Sequence, residues 1–131
     1  MVYRKTDHAQ PYYDALDKSA VYPVYHVIAD LAKASGARQI ATTVSAESAA
    51  AAIAYRGKDG PVLWLANLTP QAQTLRVNGF TGAATVAMLD EVSFAKATTD
   101  TGFLEKSGKR VAKVGTIALK PYAAVRIAAA K

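Results

Sequence analysis

An apolar run rich in large side chains lies between Pro61 and Pro70, with a proline at each end. Alternation divides the run between two faces, Val62, Trp64, Ala66 and Leu68 on one and Leu63, Leu65 and Asn67 on the other. Because both faces are largely apolar, the run predicts a central β-strand that is covered on both sides. The run is too short for a membrane span, which takes about 20 residues. The flanking glycine and prolines favour turns at its ends.

A helical period appears between Pro23 and Ser35. Its apolar positions recur at three- and four-residue spacing and are Val24, Val27, Ile28, Leu31 and Ala32. Pro23 suits the first helical turn, and Gly36 suits a left-handed stop. His26, Asp30 and Lys33 fall on the other side of this helix. Its apolar stripe must be buried against a sheet or a neighbouring domain.

After Gly36 the pattern changes to short strands that recur about every ten residues, as in sandwiches and barrels. The strands are predicted at residues 39–44, 49–56, 62–68, 73–77, 84–90, 102–105, 111–119 in part, and 123–128. The fold class is therefore mainly β, an antiparallel β-sandwich of about eight strands with one N-terminal amphipathic helix.

Turn chemistry and alternation add detail to this sandwich. Residues 57–60 (Gly-Lys-Asp-Gly) and 106–109 (Lys-Ser-Gly-Lys) are each predicted to close a hairpin. The strands that carry Leu75 and Val77, and Val125 and Ile127, each have one clear apolar face, which predicts half-exposed outer strands.

With 131 residues, the chain is long enough for one domain with one respectable core. Residues 1–36, whose first 20 residues are rich in tyrosine, are interpreted as the end of a preceding domain, and residues 37–131 as the sandwich.

The composition, with 51% hydrophobic and 20% charged residues, is that of a soluble globular protein. The absence of cysteine and of a signal-peptide pattern favours a reducing, cytoplasmic location. A formal charge of +6 would indicate a nucleic-acid-binding protein only if the basic residues gathered on one face with aromatic residues among them. The basic cluster has no aromatic residue nearby; it comprises Lys106, Lys109, Arg110 and Lys113. It is interpreted as a solvated loop, with a phosphate or nucleic-acid contact as the alternative, and neither a nucleic-acid nor a membrane partner is expected.

The residues offer no catalytic constellation. The two histidines, His8 and His26, are far apart in sequence, so no metal site is expected, and His26 is interpreted as a surface or capping residue. No nucleophile elbow is present. Asp90 and Glu91 are neighbours that would point to opposite faces of a strand, so they are interpreted as a strand end rather than an acid–base pair. No cofactor is expected.

Two residues of the central run raise structural questions. Asn67 is expected to be hydrogen-bonded in or near the core, at the end of the strand. Trp64 is interpreted as a core residue, with a sugar-stacking platform as the alternative.

Three stretches together resemble the C-terminal part of the D-apionate lactonase family. They are the helix at 22–32, the strand at 62–69 followed by residues 75–77, and the ending at 117–127. The resemblance implies a (β/α)8 barrel that carries a β-sandwich at its end, with residues 23–35 as the closing helix of the barrel. Catalytic residues would lie on barrel strands that this chain lacks, so no catalytic residue is carried over and the chain alone is expected to be inactive.

Three functions follow from this reading. The first is a non-catalytic accessory domain of a bacterial, glycoside hydrolase-like enzyme, which stabilises the barrel and has the barrel, or a second copy through the N-terminal helix, as partner. The second is a carbohydrate-binding module in which Trp64, or exposed Tyr55 and Tyr122, contacts a sugar. A free-standing hydrolase comes last.

Overall fold

Ten strands and three helices make up the computed structural model, which describes residues 2–3 and 20–130. The strands are β1 (Val2–Tyr3), β2 (Ala20–Val21), β3 (Gln39–Ile40), β4 (Ala50–Gly57), β5 (Gly60–Asn67), β6 (Gln73–Arg76), β7 (Ala84–Leu89), β8 (Lys109–Val111), β9 (Thr116–Leu119) and β10 (Ala124–Ala129). The helices are α1 (Val24–Lys33), α2 (Phe94–Thr99) and α3 (Phe103–Ser107). The predicted N-terminal segment, with His8 and Tyr12, lies mostly outside the described residues.

The main sheet has six antiparallel strands in the order β3-β4-β5-β10-β7-β8. β6 and β9 form a second sheet, and β1 and β2 form a short pair before α1. The β4–β5 hairpin turns through Lys58 and Asp59, with Gly57 opposite Gly60, as the sequence predicts. Gly60 has φ +131°, and a Cβ there would lie 2.8 Å from Cβ of Ala129, so both its backbone and its packing require glycine.

Two apolar cores cover the two faces of the main sheet. Between the sheets lie Leu63, Leu65, Val125, Ile127 and Leu119, with Leu75 and Ile117 against them. Between the main sheet and the helices lie Tyr55, Val62, Trp64, Leu89, Ala97 and Phe103, with Val27 and Leu31 of α1. The mainly β, antiparallel sandwich and the central position of β5 between two covered faces are therefore confirmed.

Four local predictions are wrong. Residues 102–105 are not a strand, because Phe103 begins α3 and its side chain is buried under the main sheet. Residues 106–109 therefore lead from a helix into β8 and do not close a hairpin. β3 ends at Ile40 instead of reaching Val44. β10 is not an outer strand, since it lies between β5 and β7 and the helices cover its second face.

The basic cluster lies on the end of α3, on the edge strand β8 and just beyond it. Lys106, Lys109, Arg110 and Lys113 are all exposed, and Lys106 Nζ forms an ion pair with Asp100 Oδ2 at 2.9 Å. Charged side chains on an edge strand discourage pairing with another chain.

Candidate functional site

The three aromatic residues predicted to contact a ligand lie in two separate places. Tyr55 on β4 and Trp64 on β5 are buried on the helix-covered face of the main sheet. Tyr122 lies in the turn before β10 and is 67% exposed. Trp64 is therefore a core residue, as the preferred interpretation holds, and of the three only Tyr122 offers an open ring face.

Tyr55 and Trp64 meet on Asp30, a residue of α1. The Tyr55 hydroxyl donates to Asp30 Oδ2 at 2.6 Å, and the Trp64 indole N–H donates to the same oxygen at 2.8 Å. Arg126 Nε, on β10 directly opposite Trp64, lies 3.0 Å from that oxygen as an ion pair, although its N–H is poorly aimed for a hydrogen bond. One carboxylate oxygen thus joins α1 to three adjacent strands.

This cluster is largely withdrawn from water, because the side chains of Asp30 and Arg126 are only 12% and 25% exposed. Burial acts to raise the pKa of Asp30, but the Arg126 guanidinium and the two neutral donors outweigh it, so the pKa lies below its ordinary value. Burial, and then the hydrogen bond to the Asp30 carboxylate, raises the pKa of Tyr55. Asp30 is therefore ionised and Tyr55 neutral near neutral pH.

A cleft of about 810 Å³ with a mixed polar and apolar lining opens beside this cluster. Asp30, Tyr55 and Arg126 form part of its lining, together with the end of α1, the tip of the β4–β5 hairpin and residues of α3. The charged residues of its walls are Lys33, Arg56, Lys58, Asp59 and Glu105. Its volume lies within the range of small-molecule sites.

A second concavity, of about 590 Å³, is mainly apolar and lies at the start of α1. We call it the Tyr122 groove, and its apolar lining comprises Tyr22, Pro23, Val24, Val27, Leu89, Phe94, Pro121, Tyr122 and Ala124. Glu91 at its rim forms an ion pair with Lys120 at 3.0 Å. Val24 is 45% exposed, and Ile28, one helical turn further on, is 54% exposed. The start of α1 therefore presents apolar surface to water.

Tyr122 has an unusual backbone conformation, with φ +54°. Ala123 N donates to Lys120 O at 3.1 Å, which closes a turn with Pro121 and Tyr122 at its centre. The third residue of such a turn is ordinarily glycine or asparagine, because a side chain at positive φ costs about 1 kcal/mol. A large exposed aromatic ring is thus held where glycine would be more stable.

His26 is buried, so its placement at the surface is wrong, but it contacts a carbonyl in the last turn of α2, which agrees with a capping role. Its Nε2 lies 2.7 Å from the carbonyl oxygen of Ala97, and its ring contacts those of Tyr25 and Phe103. The side of α1 that carries His26 and Asp30 therefore faces the protein, while Val24 and Ile28 of the apolar stripe remain exposed.

The other polar candidates have structural roles. Asp90 follows the end of β7, and its Oδ1 accepts from the amides of Val92 and Ser93 at 2.9 and 3.0 Å. Asn67 is buried at the end of β5, where its amide donates to Gln71 O at 2.7 Å and its oxygen accepts from Thr69 N at 2.9 Å. The prediction for Asn67 is confirmed.

Within residues 2–3 and 20–130, no three His, Cys, Asp or Glu side chains come together in a way that could hold a metal ion. None of the described helices is both long and apolar enough to cross a membrane.

Asp30 and Arg126 are the residues that the sequence reasoning missed as a site. Each is the polar member of an otherwise apolar pattern, and the pattern alone assigns it to an exposed side. An arginine between Val125 and Ile127 on a strand, and an acid on a helix that must pack on that sheet, are the two signals that together could have indicated the pair.

Two sheets that enclose a common core, with helices on the outer face of the larger sheet, define a β-sandwich domain. The family model described as D-apionate lactonase, C-terminal immunoglobulin-like domain matches residues 47–127, more than half of the chain. The chain belongs to this family, which confirms the resemblance over that region.

Similar solved structures include a conserved exported protein from Bacteroides fragilis, with 15% sequence identity and a TM-score of 0.44. The match covers 70% of this chain and 18% of that one, so this chain corresponds to less than a fifth of its length. No curated protein matches the sequence.

Proposed function

We propose that this chain is a non-catalytic accessory domain that stabilises the catalytic barrel of a carbohydrate-active enzyme resembling D-apionate lactonase. The family description supports this proposal, because it assigns residues 47–127 to a C-terminal domain. A C-terminal domain of such an enzyme has the catalytic part before it in the same polypeptide.

The observation that carries the proposal is the apolar surface formed by the Tyr122 groove and the exposed side of α1. Val24 and Ile28 are exposed although they belong to the apolar stripe of the helix. Contiguous exposed apolar surface marks a protein contact. The β1–β2 pair leads directly into Tyr22 and Pro23 of the groove, so the chain that precedes α1 enters beside this surface. The occupant we assign is the barrel of the same polypeptide.

The test introduces a charge at this surface. Ile28→Asp in the isolated chain should change the free energy of unfolding by less than about 1 kcal/mol, because the side chain is exposed there. In the parent enzyme the same substitution should lower the thermal midpoint, because an unpaired carboxylate would be buried in the interface. Thr116→Asp, exposed on β9 in the second sheet, is the matched control. Equal effects of both substitutions on the parent enzyme would contradict the proposal.

A second candidate is a carbohydrate-binding module, which the exposure and positive φ of Tyr122 favour. A ring held at a backbone position that suits glycine suggests selection for the side chain, and aromatic faces stack on sugar rings. Tyr122→Gly should retain or raise stability while abolishing sugar-induced amide shifts in an NMR titration with neutral sugars, sugar acids and lactones. If no sugar shifts resonances around Tyr122 in the unmodified protein, this candidate fails.

A further inference from the structure

We propose that the cleft beside Asp30 and Arg126 binds a vicinal diol of a sugar or sugar acid. This goes beyond the accessory role, and its site is separate from the Tyr122 groove. None of Val24, Ile28 and Tyr122 lines the cleft.

The first observation is the uneven use of the Asp30 carboxylate. All three donors gather on Oδ2. Oδ1 accepts no hydrogen bond from the described residues, and Asp30 is one of the residues that line the cleft. An ionised carboxylate oxygen in a largely desolvated site is a strong acceptor for a hydroxyl group.

The second observation is the guanidinium that accompanies this oxygen. Arg126 also lines the cleft, and its Nε is buried against Asp30, so the exposed quarter of the side chain belongs to its other atoms. A guanidinium is a planar set of donors with no acceptor. An acceptor oxygen beside a donor group can bind two neighbouring hydroxyls, one of which donates to Asp30 while the other accepts from Arg126.

The third observation concerns size, support and charge. The cleft of about 810 Å³ has the volume of a small-molecule site. The Tyr55 and Trp64 donors fix the Asp30 carboxylate before any ligand arrives, and such preorganisation favours binding. Lys58 and Arg56 line the hairpin wall. Their charges allow the diol to come from a neutral sugar or from a sugar acid, and the experiment distinguishes these two sources.

The sole tryptophan of the chain provides the measurement, since its indole N–H is bonded to the carboxylate in question. Trp64 fluorescence should change saturably when the full chain is titrated with D-xylose or with D-gluconate, and should not change with cyclohexanol, which has no diol. Tighter binding of D-gluconate than of D-xylose would identify a sugar acid as the preferred source.

A blocking variant locates the binding without disturbing the cluster. Ala37 is exposed and lines the cleft, so Ala37→Phe should weaken binding about tenfold or more. Thr116→Phe, which adds an equally large side chain on β9 of the second sheet, should leave binding unchanged. Amide shifts at residues 57–60 give a second readout if the fluorescence change is small. An absent response in both readouts, or an equal response in Ala37→Phe, would show that Asp30 and Arg126 form a structural ion pair only. Neither result depends on whether a barrel binds the groove.

Discussion

Removal of the Asp30 carboxylate should be among the most destabilising single changes in the helix layer. Asp30→Ala leaves the Tyr55 hydroxyl, the Trp64 indole N–H and the Arg126 guanidinium without their shared acceptor. A buried ion pair that loses one partner costs about 3–5 kcal/mol. Arg126 keeps some access to water, with a quarter of its side chain exposed, so we expect a loss of about 2–4 kcal/mol.

Urea unfolding at neutral pH, followed by circular dichroism, measures this loss directly. Lys33→Ala is the control on the same helix, because Lys33 is 74% exposed and its ion pair with Glu105 spans 3.6 Å. An exposed pair of this kind contributes about 0–1 kcal/mol. Replacement of both ion-pair partners, in Asp30→Ala with Arg126→Met, should cost less than the sum of the single changes. A loss below about 0.5 kcal/mol for Asp30→Ala would refute the conclusion that this carboxylate anchors α1.

Two further predictions concern pH and the buried end of β5. Because the folded state lowers the pKa of Asp30, its stabilisation is fully present above the ordinary carboxyl pKa near 4 and should be lost as the pH falls through the folded pKa. Acid unfolding of Asp30→Asn should lack this component, and identical pH profiles for the two proteins would contradict it. Asn67→Ala should destabilise the protein by about 1–3 kcal/mol, because Thr69 N and the carbonyls of Gln71 and Lys120 lose their partner. An unchanged urea midpoint for Asn67→Ala would show that these hydrogen bonds are dispensable.

The alternation of apolar and polar residues was sufficient to predict the sheet framework. β5 reads as a covered central strand because both of its faces are apolar, and the β4–β5 hairpin follows from glycine at each end of its loop. These signals lie in residues that are close together in the chain, so they can be recognised in a single sequence without knowledge of the tertiary structure. The strand prediction at residues 102–105 was wrong because a short apolar stretch fits a strand or a buried helix equally well.

The candidate site could not be predicted in the same way. Asp30 lies on a helix, and its partners Tyr55, Trp64 and Arg126 are 25, 34 and 96 positions further along the chain. Helical periodicity assigns a polar residue to the side away from the apolar stripe, and only the tertiary arrangement shows that this side is covered. The strand order that makes β10 central, and so places Arg126 opposite Trp64, is equally non-local.

The central claim is that the apolar surface at the start of α1 and in the Tyr122 groove binds the barrel of the parent enzyme. Amide hydrogen exchange, compared between this chain alone and the same residues within the parent polypeptide, tests it most directly. We expect slower exchange in the parent at residues 24–28 and 122–124, with the β6–β9 sheet unchanged. Equal exchange at residues 24–28 and 122–124 in the two proteins would contradict it.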